Sequence, residues 1–377
     1  MTALTWLFVL AGLVAFDARI LPPILPAIAG TLGATAGEVG RGVTAYAFAY
    51  GAMQVVYGPL SDRYGRVRVI RATALLFAIG TVLSALAHSL TGFVTASLLT
   101  GIFAAATIPT TFAYVGDTVR YEDRQRIVGR FTILFSSAQA LSATLAGTVT
   151  YFVSWRLLFA GYAVVTLITV AAMRGAREAP PLVAARPTRY ADIVRLARAQ
   201  RLYGATFVEG FCVLGGTTYF AVLAKQRYAV NDLEVGLLIA AFGVGTIGGG
   251  LLLARLVPAL GERALARGGG MAQALGFGVL VPAAPWPAFA AALVVIGVGY
   301  AWLHSTLQTR GTELMPEARG KAMSAFALSY FFGGAAGTAA LGGAVDGGLI
   351  RGVMAACGAG LLVVGCFVGR GAGGSEG

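Results

Sequence analysis

Charge is scarce in this sequence: Asp, Glu, Lys and Arg make up 12% of its 377 residues, against about 25% in soluble domains. Acids are rarer still, 16 against 28 bases, and histidine occurs twice. With 57% hydrophobic residues, a water-soluble fold could not cover its apolar surface. Only three cysteines are present, Cys212, Cys357 and Cys366. All lie in apolar stretches, with neither metal-ligand spacing nor an even disulfide framework, so packing roles are expected of them. No nucleotide-binding loop, metal cluster, cofactor motif or pairing of nucleophile with base stands out. Direct use of ATP and enzymatic catalysis are therefore excluded from the reading, and no cofactor or metal is expected.

What the sequence does have is long apolar runs. About 20 apolar residues at 1.5 Å rise cross a hydrocarbon core of roughly 30 Å. Lipid offers no hydrogen-bond partners, so spanning backbone must be helix or closed barrel, and these runs lack the two-residue alternation of barrel strands. The runs predict an all-α integral membrane protein of twelve spans: 4–26, 39–59, 69–88, 92–115, 127–152, 155–173, 202–224, 235–257, 268–283, 287–308, 321–345 and 348–369. Span 9 is short and glycine-rich. A double proline, not a small-residue cleavage site, follows the first run, which reads as span 1 and not as a removable signal.

The net charge of +12 raises nucleic acid as a partner, but the arginines sit in short segments between apolar runs. Membrane orientation explains them better than nucleic acid does. Of the Lys and Arg residues, 22 fall on the side holding both termini and five on the other, with Arg19 inside span 1. Both termini are thus expected in the cytoplasm of a multi-pass cell-membrane protein, which in a bacterium means the inner membrane.

The polar stretch 174–201 holds Pro180, Pro181, Pro187 and seven arginines, and reads as a cytoplasmic linker between bundles at 1–173 and 202–377. Within it, 190–199 reads either as an amphipathic surface helix or as plain solvated chain. The two bundles repeat one another. Glu38-Val39-Gly40 recurs as Glu234-Val235-Gly236, an offset of 196, each opening an even-numbered span. Glu122-Asp123-Arg124 and Glu317-Ala318-Arg319 are offset by 195, as are Gly147 with Gly342 and Arg156 with Arg351. Repeated halves of this kind place a substrate cavity at their interface near the midplane.

Between spans 2 and 3 lies Gly58-Pro59-Leu60-Ser61-Asp62-Arg63-Tyr64-Gly65-Arg66-Val67-Arg68. A glycine lets a helix end approach a neighbour, Gly65 permits a tight turn, and Asp62 can accept from a facing helix N-terminus or pair with an arginine. Here the sequence resembles the major facilitator superfamily, whose signature in this loop is G-x-L-[AS]-D-R-x-G-R-[RK]; only the last position departs, as Val67. The resemblance implies two six-helix bundles and a cytoplasmic gate latched by Gly58, Asp62, Arg63, Gly65 and Arg66. In the second half the equivalent stretch, 254–263, keeps only Gly261 and some charge. Trp155-Arg156 and Pro316-Glu317-Ala318-Arg319-Gly320 are also similar to family segments. The chain looks most like the drug and sugar efflux branch, whose members are proton antiporters. It departs from that branch at Ser97, where an arginine stands four residues before Gly101. It departs again at 142–147, where the antiporter signature has lost its proline and all but one glycine.

Charge inside a membrane is costly and marks function by default. At 1.5 Å per residue, Asp17 lies about 20 Å along span 1 and Arg19 about 23 Å. Pro22, Pro23 and Pro26 follow, predicting that the outer part of span 1 is bent or unwound. Asp17 and Glu209, about two turns into span 7, are the candidate proton-coupling groups. A structural pair or hydrogen bond is the competing role for each. Arg19 reads as a grip for an anionic substrate or as the counter-ion of Asp17, the latter needing a distorted helix. Tyr46, Tyr50 and Gln54, four apart, form one face of span 2 and, with Gln139 and Tyr300, are candidates to line a substrate cavity; packing is the alternative for the aromatics. His304 is expected near the cytoplasmic end of span 10 in a packing or capping role.

The function that follows is a monomeric secondary transporter for a small molecule, coupled to protons and exporting its substrate. Uptake of an anionic solute by symport is the alternative. So, from another class, is a non-transporting sensor or assembly subunit on the same fold, against which the intact latch and the intramembrane charges argue.

Overall fold

The computed structural model describes residues 3–176, 178, 190–315 and 318–370. Pro180, Pro181 and Pro187 of the expected linker, and Pro316 and Glu317 of the segment before span 11, lie outside the described residues, as do the side chains of Glu122 and Arg124. All regular structure among the described residues is helical. In chain order the helices are α1 Ala3–Leu32, α2 Ala36–Tyr64, α3 Arg66–Ala85, α4 Leu90–Ala104, α5 Thr107–Thr118, α6 Tyr121–Phe152, α7 Trp155–Ala172, α8 Tyr190–Val194, α9 Ala197–Thr218, α10 Phe220–Arg227, α11 Asp232–Val279, α12 Trp286–Glu313, α13 Arg319–Asp346 and α14 Ile350–Arg370.

Nine stretches among the described residues are long and apolar enough to cross a membrane. The predicted spans outside this set are α2, α6 and the part of α11 beyond Gly261. α2 and α6 carry the candidate site residues Tyr46, Tyr50, Gln54 and Gln139.

Side chains obey lipid as solvent. Leu75, Leu76, Ile79, Val82 and Leu83 of α3 and Leu362, Val363 and Phe367 of α14 are exposed apolar groups. The buried hydroxyls of Thr73, Thr81, Ser97, Thr100, Thr166 and Thr206 donate to carbonyls four residues back, leaving their donors satisfied within the same helix.

Contacts divide the chain into two units, one comprising Met1–Pro187 with Asn231–Gly236, the other Thr188–Val230 with Leu237–Gly377. In unit 1, α1 packs on α6, α2 on α4, and α3 on α4 and α7. Leu7, Leu10, Val67, Ile70, Ala74, Tyr114 and Met173 form a core at one of its ends. In unit 2, α9 packs on α13 and α14.

The internal repeat has a local physical meaning. Thr35 accepts from the Glu38 N–H at 3.2 Å, and the Glu38 carboxylate accepts from the Thr35 N–H at 2.9 Å. Asn231 and Glu234 make the same reciprocal pair at 2.9 and 2.8 Å. Both copies are capping boxes that start a helix. Gly65 and Gly261, also 196 residues apart in the numbering, turn the chain at φ +97° and +75°, a region L side chains rarely adopt.

Several expectations need correction. Of the two alternatives for the outer part of span 1, bent or unwound, the second does not hold: α1 is helical through Leu32. Proline removes the N–H that would bond the carbonyl four residues back, but its φ suits a helix. The cost therefore falls on the carbonyls of Ala18, Arg19 and Pro22, which lose those donors. Spans 4 and 7 are each interrupted, near Ala105 and at Tyr219, while spans 8 and 9 lie on either side of Gly261, whose φ of +75° and ψ of +162° break the helical path within α11. The surface helix expected over 190–199 is only Tyr190–Val194, because α9 already begins at Ala197. Cys366 is exposed and is not a core-packing residue, unlike Cys212 and Cys357.

Candidate functional site

Asp17 is 6% exposed and lies in α1 beside a cavity of about 30 Å³ within unit 1. Space of that size holds about one or two waters. Ser97 and Thr100 of α4, Ser84 of α3 and Phe159 of α7 complete its wall with α1 and α2. Ala18 and Pro22 also line it. The carbonyl that Pro22 leaves without a donor is thus on a residue of this polar pocket. Ser97, at the position where the efflux branch has an arginine, adds a hydroxyl and no charge. Among the described residues, no arginine or lysine forms an ion pair with Asp17.

Tyr46, Tyr50 and Gln54 are all buried on one face of α2. The Tyr46 hydroxyl approaches the Asp17 carboxyl, without the geometry of a full hydrogen bond. The Tyr46 ring stacks on Tyr50, centroids 5.9 Å apart, and the Tyr50 hydroxyl bonds the Gln54 side chain. These four candidates therefore form one continuous polar row from α1 along α2. Gly101 makes the row possible. A Cβ there would sit 2.4 Å from the Tyr46 carbonyl, so only glycine lets α4 press this closely on α2.

Arg19 points elsewhere. Its Nε donates to Gln139 Oε1 at 3.3 Å, joining two candidates that the sequence had not connected. Because α1 stays helical, residues two apart face different neighbours: Asp17 turns to α2 and α4, Arg19 to α6.

In unit 2, Glu209 is fully buried, about 18 Å along α9 from Ala197 at 1.5 Å per residue. Its Oε2 shares a hydrogen bond with His304 Nδ1 at 3.0 Å, while Oε1 has no hydrogen-bond partner among the described residues. The expectation for His304 is corrected: it neither caps a helix nor merely packs. Its ring stacks on Tyr300 at 4.9 Å and lies 4.8 Å from Tyr330, whose hydroxyl donates to Tyr300 Oη at 3.3 Å. Its spacing of four from Tyr300, one helix face, was the signal in the sequence. Tyr330, on α13, had none.

At the predicted gate, Arg66 Nε donates to Asp117 Oδ2 at 3.1 Å and Nη1 to Ser61 Oγ at 2.6 Å, with an ion pair to Asp62 four residues back. Arg63 is exposed, its guanidinium over the neighbouring Tyr64 ring. An added Cβ at Gly58 meets nothing within 4 Å, so the close approach expected of that glycine is not made there. The helix N-terminus at this corner is that of α3, and its acceptor is Glu178, not Asp62. The Glu178 carboxylate takes the Val67 and Arg68 N–H groups at 3.0 and 2.7 Å, and a Cβ on Gly65 would lie 2.8 Å from it. Asp117 and Glu178 escaped the sequence reading because neither belongs to the motif. Glu178→Ala should cost about 0.5–2 kcal/mol, the usual loss for a cap, read as a lower melting temperature of the purified protein in detergent.

The family model described as "Major Facilitator Superfamily" matches residues 7–369. Uncharacterised MFS-type transporters of two Mycobacterium tuberculosis strains are 28% identical over 205 residues, 53% of this chain. The match spans only 28% of their own length. A chloramphenicol resistance protein of Pseudomonas aeruginosa is 25% identical over 296 residues, covering 74% of this chain and 69% of that protein. Among solved structures, a mutant of the nucleoside transporter NupG superposes with a TM-score of 0.82 over 97% of this chain and 98% of that one, at 12% identity, a likeness of fold alone.

Proposed function

From a chain that belongs to the Major Facilitator Superfamily, a family of membrane transporters and not of enzymes, we propose a secondary transporter that exchanges protons for a small organic compound and exports it by alternating access. One observation supports the coupling above all: each unit buries a carboxyl, Asp17 or Glu209, that no arginine or lysine pairs with among the described residues. An ionised carboxylate is costly in such surroundings, and proton uptake removes that cost. Asp17 takes and releases the driving proton beside its water-sized cavity, with the Tyr46 hydroxyl as its neighbour. Tyr50 and Gln54 extend the polar row, and Arg19 with Gln139 offers a second polar contact for substrate. Glu209 and His304 share a hydrogen bond in unit 2, with Tyr300 stacked on the imidazole, and form the second candidate coupling group.

The Pseudomonas relative is named for chloramphenicol resistance, an outcome that export of a small organic compound would produce. The network of Ser61, Asp62, Arg66 and Asp117 serves as the cytoplasmic latch. The protein acts as a monomer in the inner membrane with both termini cytoplasmic, its bundles at 1–173 and 202–377 joined by 174–201.

Reconstitution with a lumenal pH dye and pools of candidate compounds tests this reading. Substrate-dependent alkalinisation of a proton-rich lumen as external compound enters is the expected result. Acidification on uptake would replace exchange with symport and give Arg19 an anion to hold. Compound flux with no proton movement would remove the coupling role of Asp17.

A further inference from the structure

A second cavity, of about 1000 Å³, lies within unit 2 and is lined by none of the proposed proton-coupling residues. It lies where four helical segments reach one end of the unit: the start of α9, the Gly261 kink of α11, and the last turns of α12 and α14. Five arginines line it, Arg198, Arg201, Arg263, Arg310 and Arg370, against Glu262 and Glu313, a net charge of +3. Arg310 is fixed, donating to the Val368 carbonyl at 2.8 Å with Glu262 3.8 Å away. The other four make no hydrogen bond or ion pair among the described residues, and all four are exposed.

The wall behind these guanidinium groups is apolar. Leu202, Leu307 and Leu314 are buried in it, while Leu260 and Phe367 line it at 57% and 52% exposure. A ligand that satisfies both surfaces carries a phosphate, which arginine binds in bidentate fashion, joined to a hydrocarbon body. Helix ends at a membrane boundary meet such molecules in the leaflet beside them, where basic pockets between helices bind anionic headgroups. Chain atoms of a lipid can then lie against Phe367 and Leu260, which a free anion would leave in water.

We propose that this cavity binds the headgroup of an anionic phospholipid. The site is distinct from the proton-coupling residues but rests on the proposed cytoplasmic placement of these helix ends. Its test does not use transport, so its failure is distinguishable from failure of the coupling reading.

The full chain in detergent would be titrated with phosphatidylglycerol or phosphatidylcholine and read by native mass spectrometry. Phosphatidylglycerol should bind at least about tenfold more tightly, the effect of roughly 1.4 kcal/mol. The triple variant Arg198→Gln, Arg201→Gln, Arg263→Gln should lose that preference, whereas Arg255→Gln with Arg319→Gln, exposed but outside the cavity, should keep it. If the triple variant is not monodisperse, the single variants Arg198→Gln and Arg263→Gln should each weaken phosphatidylglycerol severalfold. Equal binding of the two lipids, an unchanged preference in the arginine variants, or an equal loss in the control pair would overturn the site. So would inorganic phosphate displacing the lipid at equal concentration, which would assign the cavity to a free anion.

Discussion

Asp17→Asn is expected to abolish accumulation driven by a proton gradient while leaving exchange of substrate for substrate in place. The amide matches the carboxyl in size, so the small cavity and the packing on Tyr46 survive, but it cannot take up a proton. One proton moving down one pH unit supplies about 1.4 kcal/mol, a tenfold accumulation per coupled proton. The wild type should show that ratio and the variant should show none. Full accumulation in Asp17→Asn would end the assignment. Loss of exchange together with accumulation would make Asp17 a structural residue.

The second large effect is expected at Glu209 and His304. Removing the imidazole by His304→Ala leaves the wholly buried Glu209 carboxyl without its hydrogen-bond partner. The cost is about 1–3 kcal/mol if the carboxyl stays protonated and about 3–5 kcal/mol if it stays charged. Glu209→Gln removes the charge, so the double variant should be destabilised by less than the two singles together, with a coupling of about 0.5–3 kcal/mol. Thermal unfolding in detergent measures all three, and proton-driven flux should fall in each. Strict additivity, or undiminished flux in Glu209→Gln, would reduce the pair to a packing contact.

The membrane class, the helical fold and the gate motif were legible in the sequence because each rests on local rules. Apolar runs, helix caps and an ordered Gly, Asp, Arg and Gly pattern need no tertiary contact to be read. The repeat was legible for the same reason, since Glu38 and Glu234 stand three residues after Thr35 and Asn231, which begin the two capping boxes. Periodicity also placed Tyr46, Tyr50 and Gln54 on one buried face.

What stayed hidden depends on which helices touch. His304 pairs with a residue 95 positions away and Arg19 with one 120 away, and no local pattern joins them. Glu178 caps α3 across more than 100 residues, from a segment whose composition reads only as linker. The three prolines left bending and unwinding as alternatives, and only unwinding is excluded. They remove helix donors without forcing the helix to unwind, so Asp17 sits on an intact helix whose polar groups include carbonyls the prolines cannot serve.

The most direct test of the account follows a labelled compound, identified from the pools, in proteoliposomes bearing an imposed proton gradient. The account predicts accumulation against the compound's own gradient, scaling with the pH difference and collapsing to equilibration when a protonophore is added. Accumulation that persists undiminished with the protonophore, or flux that never exceeds equilibration at any pH difference, would contradict it.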